Sequence, residues 1–359
     1  MTETILFTAS TSIALPDPHA LLDRLCERLT ERGTVTRDGP RGRFESRMGV
    51  VEMEAGAQAL HLHAASDQLN YLFIARSLLA EHIAECTEGS APAFLWSGDG
   101  CDLTAIPYFH QATVRASRPV TPRMQRVTLA VADVGQLETG GLHVRVLIPP
   151  QGRAPAWPSL APDGRVLWPK GEDELTTRVY TIRSLDHARG EVDIDVVLHE
   201  DTPGSVWART AGPGDTVGLM GPGGGEIVPA DCYLLGGDET ALPVIARFAE
   251  SLPAGAKAIL RIEVADAREE QPIASAATLD LRWLHRNGAE AGSTDLLERA
   301  IRAVEWPQGG AHYALIGSEQ ASARAIRTYL RKERGMARDR HLVAAYWRRG
   351  HAAVERERD

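Results

Sequence analysis

Arg178-Val-Tyr-Thr-Ile-Arg183 brings an aromatic ring, a hydroxyl and two fixed cations into one short run. Val179, Tyr180, Thr181 and Ile182 all favour a strand. On a strand, Arg178, Tyr180 and Ile182 face one way and Val179, Thr181 and Arg183 the other. Such a set suits a planar, hydrogen-bonding ligand that carries phosphate. Tyr180 can stack, Thr181 can bond a ring heteroatom, and arginine can clamp phosphate. A sheet strand with solvated arginines and a core tyrosine would use the same residues, so the surrounding elements must decide.

Those elements fall into three textures. Residues 1–100 read as one small α+β domain. Helices are expected over Pro18 to Gly33 and Asp67 to Cys86, with strands over Gly42 to Met48, Gly49 to Ala55 and Ala59 to Ala65. His61 and His63 share a strand face; with no carboxylate or cysteine beside them in sequence, a solvated face is the expectation rather than a metal site. Gly98-Asp-Gly100 and Pro107 mark a hinge.

From Phe109 short strands and turns alternate: Ala112 to Ser117, Gln125 to Val131, His143 to Ile148, Arg178 to Ser184, Glu191 to His199 and Thr216 to Met220. A short helix opens at Thr202, where Gly204 and Ser205 could offer backbone N–H groups and a hydroxyl to phosphate. This spacing predicts a small antiparallel barrel over 108–222. It includes a long Pro/Gly-rich loop, Gln151 to Glu174, with Trp157, Trp168 and Lys170. Gly221 to Gly225 reads as a linker.

Beyond it, strands (Cys232 to Leu235, Ala258 to Val264, Leu281 to Leu284, His312 to Ile316) alternate with helices (Ala241 to Leu252, Thr294 to Val304, Gln320 to Arg334). That alternation predicts a parallel α/β sheet over 228–351. Ligands of such sheets sit at the strands' C-terminal ends, so Gly236 to Thr240 and Gly317 to Glu319 are the loops of interest. Residues 352–359 form a charged tail.

Bulk properties narrow the function. The chain has 359 residues and a net charge of −9. No global attraction to nucleic acid or an anionic membrane follows from that charge. The four scattered cysteines form no C-x-x-C, so neither an iron–sulfur nor a zinc motif is supported. No G-x-G-x-x-G follows a strand, and no Walker A or G-x-S-x-G is present. The absence of a signal-like start or a long apolar run makes the cytoplasm the default.

Taken together, the R-x-Y-T-x-R strand, Thr121-Pro-Arg-Met-Gln-Arg-Val127, Gly236-Gly-Asp-Glu-Thr-Ala-Leu-Pro243, Trp283-Leu-His-Arg-Asn-Gly288 and Tyr346-Trp-Arg-Arg-Gly350 resemble the siderophore-interacting protein family of FAD-binding ferric-siderophore reductases. The resemblance runs from about Phe109 to His351. It implies a multidomain, ferredoxin-reductase-like arrangement of an FAD-binding barrel and an NAD(P)-binding α/β domain. Residues 1–100 resemble a small domain of unknown function sometimes attached to this family.

By position, the resemblance places Tyr180 and Thr181 against the isoalloxazine and Arg178 on FAD, with Arg183 in the same motif. Asp195, Val197 and His199 match the family's cofactor strand, and Gly204, Ser205 and Trp207 its glycine-containing loop. Asp238, Thr240 and Ala241 would sit where nicotinamide approaches, and Trp347 near the flavin. Lys170, Arg247 and Arg348 are the nearest candidates for a basic set holding an anionic siderophore. Two departures concern the C-terminal pocket: Ala345 stands where the family usually has glycine, and Ala314 where an aromatic is common. No protein residue is expected to be catalytic in its own right and no resident metal is expected.

The implied activity passes electrons from NADH or NADPH through FAD to ferric iron in a siderophore, with ferredoxin as an alternative donor. A general NAD(P)H–flavin reductase and a non-catalytic flavin- or siderophore-binding protein are the rivals. A monomer or weak dimer is expected.

Overall fold

The computed structural model describes residues 6–87, 93–199, 202–224 and 227–351. The expected tail at 352–359 and the end of the linker at Gly225 lie outside them. Two compact units are formed: the chain up to Phe109 together with Ala154–Glu174, and His110–Arg153 together with Leu175 onward.

In the first unit, six strands lie in the order Thr34–Asp38, Arg41–Ser46, Gly49–Ala55, Ala59–Ser66, Phe7–Ala14, Ser97–Gly98. Helices Pro18–Leu29 and Leu69–Cys86 cover one face. Asp17 caps the first helix by accepting from Ala20 N at 3.0 Å, and Pro18 suits its opening turn. Leu21, Leu22, Leu25, Leu72, Leu79 and Ile83 pack on Phe44, Met53, Leu60 and Leu62 in one core.

The opposite sheet face is polar, and His61 and His63 are exposed on it, as expected of a solvated strand face. Glu52 pairs with His63 and Glu54 with His61, so carboxylates do stand beside the histidines. Cross-strand pairing, invisible to a linear reading, brings them there. Arg43 and Arg41 engage those carboxylates at 2.7 and 3.2 Å. Among the described residues no group of three or more His, Cys, Asp or Glu could hold a metal, and no helix is long and apolar enough to cross a membrane.

The second unit holds a closed six-stranded barrel and a five-stranded parallel sheet. Around the barrel run Thr176–Asp186, Glu191–Val197, Met124–Val131, Phe109–Thr121, Thr216–Gly223 and His143–Ile148. Its interior is filled by alternate residues such as Val127, Leu129, Val144, Val146, Val192 and Ile194. The sheet order is Thr278–His285, Lys257–Val264, Cys232–Gly237, His312–Glu319, His341–Trp347.

Helix Leu242–Ser251 covers one sheet face, against Tyr233, Leu235 and Leu260. Leu296–Arg302 and Gln320–Thr328 cover the other, against Leu234, Ala314 and Ile316. Burial on both faces explains the continuous apolar run Cys232 to Leu235. Met124 of the barrel shares the core of the first face, so barrel and sheet are packed on each other.

The stretch 108–222, expected as one continuous barrel domain, is interrupted: residues 154–174 group with the N-terminal unit.

Candidate functional site

Strand Thr176–Asp186 is covered on both sides, and this splits the motif. Tyr180 and Ile182 pack toward the barrel interior. Helix Leu242–Ser251 lies against the same strand, with Arg247 Nη1 donating to the Ile182 carbonyl at 2.9 Å. The strict alternation expected of the motif breaks here: Thr181 is 4 % exposed next to fully buried Ile182, while Val179 is 44 % exposed. Pairing with Glu191–Val197 also slips a register between Ile182 and Ser184.

Tyr180 stacks on Trp207 with ring centroids 6.4 Å apart and planes 26° from parallel. Burial pushes its hydroxyl pKa up to about 12, so it stays protonated. The hydroxyl lies over Gly204 in the first turn of helix Pro203–Thr210. A Cβ at Gly204 would come within 2.1 Å of it, and within 3.7 Å of Arg178 Cγ. Arg178 thus reaches the start of this helix, and only a glycine leaves room there for Tyr180. Ser205 secures the same turn: its Oγ accepts from His199 N at 2.9 Å and from Thr202 Oγ1 at 2.8 Å.

Other expected cofactor residues have protein partners instead. Arg183 binds both carboxylate oxygens of Glu250, at 2.7 and 2.8 Å. Asp195 is held bidentately by Arg126 at 2.7 and 2.8 Å. These pairs lie where the barrel meets helix Leu242–Ser251, and their charges are neutralised within the protein. Trp207 is 7 % exposed and belongs to the barrel core, because its helix faces inward. Val197 packs against the core shared with the parallel sheet.

The second focus is the loop after strand Cys232–Gly237. Asp238 is its hub: Oδ1 accepts from Thr240 N at 2.9 Å and Oδ2 from Trp347 Nε1 at 2.8 Å and Glu319 N at 3.1 Å. Three strand ends are thereby tied to one carboxylate. Ala241, fully buried, fits between Gly237 and Gly317; a Cβ on either glycine would come within 3.0 Å of it. Trp347 also lies 6.1 Å from the His199 ring of the barrel. A further bridge runs from His143, register partner of Thr181, to Tyr346: Nε2 and Oη are 3.0 Å apart.

Behind the loop, Arg286 is clamped by Glu239, with Nη1 to Oε2 at 2.9 Å, and stands 3.5 Å from Glu263. Glu263 also accepts from Thr294 Oγ1 at 3.0 Å. Nothing in the spacing of Glu239, Glu263 and Arg286 reveals this cluster, and His143 and Tyr346 also meet only in the fold. The one available signal was that Asp238–Thr240 and Arg286–Gly288 follow strands of one parallel sheet.

Burial pushes the Asp238 and Glu263 carboxyls above their ordinary range, against the opposing hydrogen bonds from Thr240, Trp347 and Thr294. In the unfolded chain such groups titrate near pH 4. A carboxyl whose folded value is raised stabilises the fold fully below the unfolded value. That contribution fades as pH rises through the folded value. Glu263→Gln, which cannot ionise, should therefore flatten the decline in Tm as pH is raised from about 4 through the neutral range. Melting curves of both proteins across that range check it; identical slopes would remove Glu263 as a contributor.

The three basic candidates are differently placed. Arg247 is partly buried on the Ile182 carbonyl, and burial lowers its pKa. Arg348 is exposed beyond the last strand, and Lys170 is exposed on the 154–174 segment of the other unit.

The second unit thus joins an antiparallel barrel to a parallel α/β sheet. Residues 113–226 match the siderophore-interacting FAD-binding domain, and residues 230–350 match siderophore-interacting protein. Residues 10–97 match a family of uncharacterized proteins conserved in bacteria, DUF2218. The chain is 35 % identical to the ferric vibriobactin reductase ViuB of Vibrio cholerae over 237 residues, 64 % of this chain and 86 % of that protein. A siderophore utilization protein from T. fusca is 38 % identical, with a TM-score of 0.58 over 69 % of this chain and 95 % of that one. SipS, a siderophore-interacting protein from Aeromonas hydrophila, is 26 % identical, with a TM-score of 0.55 over 68 % and 93 %. The chain belongs to the siderophore-interacting protein family, and its barrel is an FAD-binding domain of that family.

Proposed function

We propose that the chain is an FAD-dependent reductase that passes electrons from NADH or NADPH to the ferric iron of a siderophore, releasing Fe(II). The observation that carries this reading is the meeting of two sets of groups in one unit. Arg178, Tyr180 and Gly204 gather at the start of helix Pro203–Thr210, and Thr181 lies beside the His143–Tyr346 bridge. The donor set fits FAD. Arg178 and the Gly204 N–H suit a phosphate oxygen, and Tyr180 and Thr181 supply a ring and a hydroxyl for the flavin. FAD held there would supply the redox chemistry that couples a two-electron nucleotide donor to one-electron iron.

The protein's own residues position and exclude. The Asp238 clasp holds Thr240, Glu319 and Trp347 at the strand ends, where the nucleotide would arrive. The Arg183–Glu250 pair fixes the barrel against helix Leu242–Ser251 and so sets the distance between the two binding halves. Arg348 remains available to raise the local concentration of an anionic chelate, whereas Arg247 serves the barrel–helix junction. In the loop after strand Lys257–Val264, Arg268 binds the Asp266 carboxylate at 3.0 and 2.8 Å, so the acid and the base that would favour NADH and NADPH engage each other. A cytoplasmic location, ferredoxin as an alternative donor and a monomer or weak dimer complete the proposal.

Purified protein should be yellow. It should oxidise NADH or NADPH when given a ferric chelate, with Fe(II) captured by a ferrous-specific dye. Colourless protein that gains no flavin absorbance with added FAD would sink the reading. Faster turnover on free flavin than on ferric siderophores would favour a general flavin reductase, and tight binding without nucleotide oxidation a binding protein. Replacing Arg178 by Ala and Thr181 by Val together should cost at least about tenfold in FAD affinity, read as flavin lost on gel filtration, since a charge-assisted bond and a hydrogen bond are removed.

A further inference from the structure

The connector between strands His143–Ile148 and Thr176–Asp186 is long, and a barrel by itself gives such a loop little to fold against. Here residues 154–174 have their own structure within the N-terminal unit. Ser159–Leu160 and Val166–Leu167 pair as a hairpin. Its turn is closed by Gly164 N donating to Ala161 O at 2.9 Å, with Gly164 at φ +90°. Two side chains of the N-terminal unit grip that turn. Ser77 Oγ, on helix Leu69–Cys86, donates to Gly164 O at 2.7 Å, and Trp96 Nε1 donates to Asp163 O at 3.1 Å.

Trp96 is itself fixed. It is 8 % exposed, and the Arg76 guanidinium lies 6.0 Å from its ring while donating to Asp99 O at 3.0 Å. Trp157 of the connector packs on Phe109 with centroids 5.5 Å apart. The grip is therefore a preformed pair of donors on a rigid helix and a packed indole, meeting two backbone carbonyls of one turn.

We infer that the N-terminal unit is a clamp for this connector: the Ser77 hydroxyl and the Trp96 indole hold the turn of its hairpin closed.

The test uses the full, FAD-loaded chain carrying Ser77→Ala and Trp96→Phe; phenylalanine keeps a ring in place and removes only the N–H donor. Each lost hydrogen bond raises the open population of the hairpin by a factor of about five. Tryptic cleavage in the connector, after Arg153, Arg165 or Lys170, should accelerate at least about tenfold over the wild type. Flavin content should not change. Equal cleavage rates overturn the clamp, as does equal acceleration in Thr36→Ala at the far edge of the sheet.

Discussion

Gly204→Ala should yield protein that folds but no longer retains FAD, and Tyr180→Phe in the same chain should restore most of the binding. By helix propensity alone the alanine would be favourable by about 1 kcal/mol in a helix interior. The local geometry reverses that sign. The new Cβ would lie 2.1 Å from the Tyr180 hydroxyl, and the ring cannot withdraw because it is stacked on buried Trp207. Tyr180 must swing away, or helix Pro203–Thr210 must shift and take the Gly204 N–H with it. Either movement dismantles the set that Arg178 completes.

Removing the hydroxyl leaves Tyr180 Cζ, 3.4 Å from that Cβ, as the nearest atom, an ordinary contact. The two substitutions should thus be strongly non-additive, with a coupling of about 1–3 kcal/mol. Flavin titration of the four proteins measures it. Simple additivity, or full flavin retention in Gly204→Ala, would detach this turn from the cofactor.

Arg286→Ala has the largest expected effect on stability. The guanidinium is nearly fully buried and is the partner of two buried carboxylates, Glu239 and Glu263. Truncation strands Glu239 and leaves Glu263 with neutral donors alone, Thr294 Oγ1 and Leu297 N. Breaking such a pair by removing one member costs about 3–5 kcal/mol. For a unit of this size that is a fall in Tm on the order of 10 °C. Glu263, whose carboxyl burial already pushes up, can relieve part of the cost by taking up a proton, so the deficit should be larger at pH 8 than at pH 5. Arg286→Met combined with Glu239→Gln removes charge from both sides of the pair and should recover part of the loss. Calorimetry of the transition of the barrel-containing unit reads both results. A deficit independent of pH would mean that the lost packing of the side chain, and not the unpaired acids, dominates.

Both outcomes depend on contacts between residues far apart in the chain, and this is where a linear reading stops. Several features were legible because they follow from backbone geometry over a few residues. The period of two over Glu191–Val197 announced a strand with one face inward. The apolar run Cys232 to Leu235, followed by a helix-length pattern, announced a buried parallel strand. Strand Phe7–Ala14 escaped notice because alanine, serine and threonine fill most of its positions and mute the contrast between faces. Strand His341–Trp347 escaped because only Val343 in it is fully buried.

By itself, then, the sequence determined the order of textures, the barrel before the parallel sheet, and the strand Arg178–Arg183 as the place where a ring, a hydroxyl and cations converge. Pattern and propensity act locally, and they sufficed for that much. Only the tertiary structure decided which of those groups are already engaged. Arg183 meets Glu250 across 67 positions, Asp195 meets Arg126 across 69, and Asp238 meets Trp347 across 109. Such pairings depend on strand register and on how a helix docks against a barrel, which no short-range period records. Within the opening motif the division is sharp: Arg183 is consumed in holding helix Leu242–Ser251 to the barrel, while Tyr180 stacks on Trp207 with its hydroxyl over Gly204.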